Sequence, residues 1–187
     1  MAANIGAHEV MELHEVLSDT VNAINTAQLY GEHARDPQLK SIMNKQLEFM
    51  TNEYNNLVNA MHQQGFSEAI PYRADTNFSP TYGLRNPSPQ TPNASPTQID
   101  DRDVSSALLS LHKTGASKRM TASLECANPQ IRRMLIQGAI NCADEAYDVW
   151  QFMNSRGYYQ VPTMQQNTTN TMINSYQPMG QDITFTS

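Results

Sequence analysis

The stretch Asn128–Met164, NPQIRRMLIQGAINCADEAYDVWQFMNSRGYYQVPTM, decides the fold. Its apolar or small residues recur at intervals of three and four, which predicts a long helix with one core-facing side. These positions are Ile131, Met134, Leu135, Gly138, Ala139, Cys142, Ala146, Val149 and Met153. Asn128-Pro129 marks the predicted start of this helix and Gly157 its end. Because a single amphipathic helix is marginally stable in water, the rest of the chain must supply its packing partners.

Three further segments have helical patterns. The first, residues 7–34, has a thinner apolar stripe, predicted to consist of Val10, Leu13, Leu17, Val21, Ile24 and Ala27. The second, residues 36–65, begins with Asp36 as the N-cap and Pro37 at the first helical position, and ends at Gly65. The third, residues 101–126, is predicted to turn Val104, Leu108, Leu111, Gly115 and Ala122 inward.

Residues 66–100 are rich in proline, serine, threonine and asparagine, and six prolines exclude a helix or a central strand. So long an irregular connection is unusual within one domain. Two helices of about 30 residues span about 45 Å, however, and a chain that returns along their whole length needs such a connection. We therefore interpret this segment as a crossover.

An internal repeat relates the two halves of the chain. A shift of 92 residues places Asp36-Pro37-Gln38 over Asn128-Pro129-Gln130, and also Glu53 over Glu145 and Gly65 over Gly157. Each half is then one helical hairpin, residues 7–65 and 101–157. Two hairpins joined by a long crossover predict an all-α, ferritin-like four-helix bundle in a single domain, residues 1–165. Two hairpins that each dimerise with another chain are the alternative.

Composition restricts the classes of function. The net charge of −6 and the 12 scattered basic residues argue against binding of duplex nucleic acid. The first residues do not have the pattern of a signal peptide, and no stretch is apolar enough for a membrane helix, so we expect synthesis in the cytoplasm without a signal peptide. Two cysteines without Cys-x-x-Cys spacing predict neither a disulfide framework nor a zinc or redox motif.

The second half of the chain resembles the coat F family of bacterial spore coat proteins. The resemblance is carried by Lys113-Thr114-Gly115-Ala116, Asn128-Pro129, Asn141-Cys142-Ala143, Glu145-Ala146-Tyr147, and Trp150-Gln151-Phe152-Met153-Asn154 followed by Gly157-Tyr158-Tyr159-Gln160-Val161-Pro162. It is close over residues 101–164, and the first half is similar to a more divergent repeat. It implies a structural or assembly role in the endospore coat, with other coat proteins or further copies of the chain as partners. It implies no catalytic residues.

The competing hypothesis is a ferritin-like metal-binding or oxidative enzyme. Such di-metal sites need Glu-x-x-His on two helices, and no glutamate in this sequence is followed by histidine at that spacing. Glu53 and Glu145 nevertheless lie on the predicted inward stripes at equivalent repeat positions. We expect them to form a buried polar layer with His112 or Lys113 as partners, because buried carboxylates need partners. No catalytic residue, metal site or cofactor is expected.

The histidines and cysteines give no second site. His8, His14, His33, His62 and His112 lie in separate places, and we interpret them as surface or hydrogen-bonded core residues. Cys142, on the apolar stripe, is expected to be a small core residue. Cys126, near a turn, is a candidate for an exposed thiol that cross-links chains. The two cysteines are predicted to lie about 20 Å apart, too far for a disulfide.

Aromatic residues gather at the end of the helix quoted above. Tyr147, Trp150, Tyr158 and Tyr159 allow two interpretations that are compatible with each other. Residues 158–164 can fold back as a plug on the end of the core, or Trp150, Tyr158 and Tyr159 can form an interaction surface. Residues 165–187 are polar, and we expect a mobile or extended tail because they cannot bury enough apolar surface to offset their ordering entropy.

Overall fold

The computed structural model describes residues 5–62 and 69–179. Every regular element of more than one residue in these ranges is a helix, which confirms the predicted all-α class. The α-helices are α1 (Ala7–Gly31), α2 (Pro37–Met61), α3 (Asp101–Leu124), α4 (Pro129–Ser155) and α5 (Gln166–Ile173). A short 3-10 turn (Pro96–Gln98) precedes α3. Within the described ranges, no helix combines the length and hydropathy needed to cross a membrane.

Side chains at the predicted positions start the helices. Asp36 accepts a hydrogen bond from the Gln38 amide at the start of α2, and Asn128 accepts from the Gln130 and Ile131 amides at the start of α4. Both N-cap predictions are therefore confirmed. The Glu9 carboxylate, which is buried, binds the Gly6 amide and the Asn128 amide, so it ties the start of α1 to the start of α4.

Gly157 ends α4 as its sequence position predicts. Its φ of 72° lies in the left-handed region that glycine adopts without steric cost. The Tyr158 amide then donates to the Met153 carbonyl at 2.8 Å, which closes the end of the helix. The corresponding prediction for Gly65 lies outside the described residues, and α2 itself ends at Met61.

Helices α3 and α4 form the tightest pair, α1 packs against α2 and α3, and α2 packs against α4. The apolar core has two parts. The larger lies around Phe152, Leu39 and Leu108, and the smaller around Leu13, Ile131 and Leu135 at the other end of the helices. Between these two apolar parts lies a layer of polar side chains, which is described below.

The inward face of α1 differs from the predicted stripe. Val10 and Val21 are 44% and 40% exposed, whereas Val16 and Thr20 are buried. The prediction of these two exposed valines as core residues is wrong because it followed apolar residues alone. Thr20 satisfies its hydroxyl by donating to the Val16 carbonyl, so a polar residue can occupy the buried face.

The crossover, described over residues 69–100, runs along α4. The Asn141 side chain accepts from the Tyr72 amide, the Asp148 side chain accepts from the Asp75 amide, and the Asn154 side chain accepts from the Thr81 amide. Further along, the Gly83 amide donates to the Val161 carbonyl. We call residues 69–83 the strap, because polar side chains of α4 hold its backbone step by step.

The described part of the tail contains α5. Its eight residues form a helix, which differs from the extended conformation that we expected there. No residue of α5 is buried, and Met172 and Ile173 are more than half exposed. The mobility of the tail stays a prediction.

Candidate functional site

The polar layer lies between the two apolar parts of the core and joins all four long helices. It receives Thr20 from α1, Gln46 and Glu53 from α2, His112 and Arg119 from α3, and Asn141, Cys142 and Glu145 from α4. The α3 residues His112, Gly115 and Arg119 follow the three-and-four spacing that places residues on one helical face. We call this group the polar centre.

Arg119 and Glu53 form the charged pair of the polar centre. The Arg119 Nη2 atom lies 3.2 Å from Glu53 Oε2 and donates to the Thr20 hydroxyl, while Nη1 donates to Cys142 Sγ at 3.1 Å. The second Glu53 carboxylate oxygen accepts a hydrogen bond from the side-chain nitrogen of Asn141. Each charge therefore has an opposite charge and several hydrogen bonds, which is the condition for burying an ion pair without a large cost.

Glycine makes the space for the Arg119 side chain. A Cβ at Gly138 would lie 2.9 Å from Arg119 Cδ, and a Cβ at Gly115 would lie 3.0 Å from Arg119 Nη1. Both glycines are inside helices, where glycine costs up to about 1 kcal/mol relative to alanine. Their positions are explained by the guanidinium that passes between α3 and α4.

The surroundings shift the acid–base properties of the polar centre. Burial raises the pKa of Glu53 above its ordinary 4.5, although Arg119 and Asn141 oppose this. Burial also raises the pKa of the Cys142 thiol to about 12. At neutral pH the Cys142 sulfur is thus a neutral thiol that accepts a hydrogen bond from Arg119. A cavity of about 200 Å³, lined by Thr20, Glu53, Arg119 and Gly138 among others, lies against this side of the polar centre.

His112 and Glu145 lie next to each other in the most buried part of the polar centre. Both residues are 0% exposed, and His112 Nδ1 lies 3.3 Å from Glu145 Oε2. The other ring nitrogen of His112, Nε2, lies 3.0 Å from Gln46 Oε1, and the Gln46 amide nitrogen donates to the Glu145 main-chain carbonyl. Within the part of the chain that the structure describes, His112 Nδ1 and both Glu145 carboxylate oxygens have no hydrogen-bond partner. Buried polar atoms without partners are rare and call for a physical reason.

The structure brings three of the four predicted polar residues together. Glu53, His112 and Glu145 lie in the polar centre, whereas Lys113 is exposed and its ammonium lies 5.3 Å from the centre of the Tyr159 ring. The expectation of Lys113 as a buried partner is wrong because it is one residue past His112 and therefore on another helical face. Arg119 was not predicted from the sequence, although its position seven residues after His112 and four after Gly115, on the same helical face, was a usable signal.

Both cysteines are buried. Cys142 is a core residue, as expected, but Cys126 is only 7% exposed and its thiol contacts the Ala122 carbonyl. The expectation of an exposed, cross-linking Cys126 is therefore wrong. The segment after α3 folds over the smaller part of the core, and Cys126 packs there with Leu13 and Ile131.

The polar centre does not fit a dinuclear carboxylate site. Glu53 and Glu145 are on α2 and α4, where such a site would take its bridging carboxylates. Arg119 and Asn141 already bind the two Glu53 oxygens, and a guanidinium next to two metal ions would add like charge. This arrangement agrees with the absence of Glu-x-x-His in the sequence.

The aromatic residues near the end of α4 divide into two sets. Tyr158 packs against the core, with its ring centre 6.1 Å from that of Phe152, and the Arg102 guanidinium lies over the Tyr158 ring. Tyr147 and Trp150 are stacked at 5.4 Å, and Tyr159 packs edge-on to Trp150. Of this second set, Tyr147 is 42% exposed and Tyr159 is 39% exposed. We call Tyr147, Trp150 and Tyr159 the aromatic patch.

Asp148 holds the strap where α4 lies next to Lys45 of α2. Its carboxylate accepts from the Tyr72 hydroxyl at 2.6 Å and from the Asp75 amide at 2.8 Å, and it lies 3.1 Å from Lys45 Nζ. Tyr72 is only 3% exposed, although it lies in a segment without regular structure. Its ring packs edge-on against Phe49 of α2, so the strap joins α2 to α4.

These features define an all-helical protein with a buried polar centre and an exposed aromatic patch, and comparison with known proteins gives its class. Residues 100–162 match the family model of the Coat F domain, which confirms the resemblance to that family. The spore coat protein F-like protein YhcQ of Bacillus subtilis is 29% identical over 175 residues, which cover 92% of this chain and 81% of that protein.

The fold is also similar to a solved structure. A crystal structure of a candidate spore coat protein from Bacillus halodurans superposes with a TM-score of 0.64 at 15% sequence identity. The match covers 88% of this chain and 97% of the other. At this identity the likeness concerns the fold alone.

Proposed function

We propose that this chain is a structural or assembly protein of the bacterial endospore coat and that it acts through protein–protein contacts rather than catalysis. The observation that carries the proposal is the Coat F domain over residues 100–162, together with a relative named as spore coat protein F-like. The chain is made in the cytoplasm and laid onto the forming spore, where its partners are other coat proteins or further copies of itself.

The scaffold for this role is a ferritin-like four-helix bundle made of two repeated hairpins, residues 7–65 and 101–157, joined by the crossover 66–100. The packing of α1 on α2 and α3, and of α4 on α2 and α3, supports this arrangement. The matching Asp36-Pro37 and Asn128-Pro129 starts of α2 and α4 support the repeat. The tail 165–187 is a mobile spacer outside this bundle.

The aromatic patch is the contact surface. Tyr147, Trp150 and Tyr159 present large rigid side chains with little conformational entropy to lose on binding. A shallow apolar groove continues the patch between α3 and α4, along Leu109, Ala143 and Ala146. Tyr158, in contrast, stabilises the end of the core, so the two predicted roles of the aromatic residues belong to different side chains.

Fractionation of purified spores tests the proposed role. Wild-type spores are extracted in steps of increasing stringency, and the chain is detected by immunoblot in coat, cortex and core fractions and at successive times of sporulation. We expect it in the coat extract, with expression that follows sporulation. Its absence from the coat fraction, or expression that is independent of sporulation, contradicts the proposal.

A triple substitution tests the contact surface. Tyr147→Ala, Trp150→Ala and Tyr159→Ala together should leave the far-ultraviolet circular dichroism unchanged and reduce incorporation of the chain into the coat. Tyr176→Ala and Met179→Ala are a control in the exposed tail, since these side chains are 87% and 74% exposed. Equal incorporation of the folded triple variant and the control rules out the aromatic patch as the contact surface.

A further inference from the structure

His112, Cys142 and Glu145 bring three metal-binding atoms together in the polar centre. One nitrogen of His112, the sulfur of Cys142 and a carboxylate oxygen of Glu145 all lie within 4.8 Å of one another, and all three residues are buried. Cys142 and Glu145 are three residues apart on α4, and His112 faces them from α3. This set was not predicted from the sequence because it does not follow the Glu-x-x-His spacing.

Gln46 fixes the proton of His112. The Gln46 side-chain nitrogen donates to the Glu145 main-chain carbonyl, which can only accept, so the Gln46 oxygen must be the atom that faces His112. The Nε2 atom of His112 therefore carries the proton and donates it to that oxygen. In the neutral ring, Nδ1 is then the nitrogen that has the lone pair, and it lies 3.3 Å from Glu145 Oε2.

Two electron-pair donors, His112 Nδ1 and Glu145 Oε2, thus lie 3.3 Å apart. Among the described residues, neither Nδ1 nor either Glu145 carboxylate oxygen has a hydrogen-bond partner. An arrangement of this kind is unfavourable unless a proton, a metal ion or a cationic side chain supplies a positive charge at these two atoms. Arg119 does not supply it, because its guanidinium is directed to Glu53, Thr20 and Cys142.

A divalent metal ion matches this geometry. In a tetrahedral site with bonds of about 2.0 Å to nitrogen and oxygen, two such ligands are about 3.3 Å apart, and the observed separation of His112 Nδ1 and Glu145 Oε2 is 3.3 Å. The combination of imidazole, thiolate and carboxylate is typical of zinc rather than of magnesium or calcium. Three protein ligands leave a fourth position for water.

We propose that His112 Nδ1, Cys142 Sγ and a Glu145 oxygen bind one Zn²⁺ ion in the polar centre. On binding, the Cys142 thiol loses its proton to solvent and the sulfur becomes a ligand, with no change of oxidation state. The charges then balance: the ion and Arg119 contribute three positive charges, and Cys142, Glu145 and Glu53 contribute three negative charges. The Arg119 hydrogen bond to the sulfur and the Gln46 hydrogen bond to His112 orient the ligands.

Cobalt is the probe for this site. The full chain is treated with chelator under reducing conditions and titrated with Co²⁺ alone and then with Zn²⁺. We expect one ion per chain, a thiolate-to-cobalt charge-transfer band in the near ultraviolet, loss of that band when Zn²⁺ displaces Co²⁺, and a higher Tm with either ion. Uptake well below one ion per chain, or a cobalt complex without the thiolate band, overturns the proposal.

Matched variants locate the ion. Cys126→Ala should keep the charge-transfer band, and Cys142→Ala should abolish it. Gln46→Leu, which removes only a positioning residue, should weaken Co²⁺ binding about 10- to 100-fold while the band remains. A band that survives in a Cys142→Ala protein, or is lost in Cys126→Ala, overturns the assignment of the ligands.

Alkylation gives a second measurement that does not depend on the folding of Cys142→Ala. In Cys126→Ala, Cys142 is the only thiol, and its alkylation rate is measured with and without Zn²⁺. Stoichiometric Zn²⁺ should slow this alkylation at least tenfold, and chelator should restore the rate. An alkylation rate that Zn²⁺ does not change contradicts the role of Cys142 as a ligand.

Discussion

Two buried carboxylates three residues apart on α4, Glu145 and Asp148, have opposite surroundings. Asp148 is 6% exposed and accepts hydrogen bonds from Tyr72, Asp75 and Lys45. Glu145 is 0% exposed, and neither of its carboxylate oxygens has a hydrogen-bond partner in residues 5–62 and 69–179. Asp148 therefore stabilises the fold, whereas Glu145 is available as a ligand. Both side chains are buried, so burial does not distinguish these two roles, but the number of hydrogen-bond donors around each carboxylate does.

Removal of Asp148 should have the largest effect on stability. Asp148→Ala leaves the Tyr72 hydroxyl buried without an acceptor and frees the Asp75 amide, so we expect a loss of about 3 kcal/mol in the free energy of unfolding. Urea denaturation measures it. Asp148→Asn, which keeps one acceptor oxygen, is the control and should lose about half as much. Equal stability of Asp148→Ala and the wild type contradicts a structural role for this carboxylate.

A Cβ at Gly138 should have the next largest effect. Gly138→Ala places that atom 2.9 Å from Arg119 Cδ and 3.3 Å from Glu53 Oε1, so the ion pair beside Glu145 must move. We expect a net loss of about 2 kcal/mol, since crowding outweighs the higher helix propensity of alanine. In an Arg119→Ala background the same change should instead stabilise the protein by about 1 kcal/mol. Urea denaturation of the wild type, the two single variants and the double variant tests this prediction. If Gly138→Ala changes the free energy of unfolding in the same direction in both backgrounds, the explanation is refuted.

Glu145→Gln should change stability in the opposite direction to Asp148→Ala. In chelator-treated protein, the side-chain amide introduced by this substitution can donate to His112 Nδ1, so two facing acceptors become a hydrogen bond and we expect a gain of about 1 kcal/mol. Thermal and urea unfolding measure the gain. If His112 and Glu145 instead form a buried ion pair, the same substitution costs about 3 to 5 kcal/mol, and the proposed contrast between the two carboxylates fails.

The smallest expected effect is a dependence on pH from Glu53. Its pKa is raised in the folded protein, chiefly by burial, so the folded state holds this proton to higher pH than the unfolded state. Its contribution to stability is therefore full below the ordinary pKa of 4.5 and decreases as the pH rises through the folded pKa. Glu53→Gln should remove that decrease, which is measured as the difference between two stability–pH curves. Parallel curves contradict the raised pKa.

The helices were predictable because their signals are local. Asp36 and Asn128 cap the helices that follow them, and Gly157 adopts the left-handed conformation that ends α4. The apolar and small residues that were predicted to face inward on α4 are all buried, so this stripe was predictable from spacing. On α1, whose apolar residues are sparse, the same reasoning placed Val10 and Val21 in the core, and both are exposed.

The polar centre was only partly predictable. The repeat placed Glu53 and Glu145 on inward faces, but their partners depend on the relative heights of different helices. Arg119 and Glu53 are 66 residues apart in the sequence, and no local pattern indicates that their side chains are in contact. The sequence predicted residues 66–100 as a crossover. It did not predict the attachment of the strap to Asn141, Asp148 and Asn154, because polar residues in a helix normally indicate its solvent-exposed face.

The attachment of the strap to α4 sets an order of events during synthesis. Tyr72 depends on Asn141 for its amide and on Asp148 for its hydroxyl, and these residues follow 69 and 76 positions later. At about 5 to 20 residues per second, a ribosome needs about 4 to 15 s to add them. During that interval α1 and α2 exist without the helix that fixes the strap. The strap can therefore take its final position only after the residues of α4 that bind it have been synthesised.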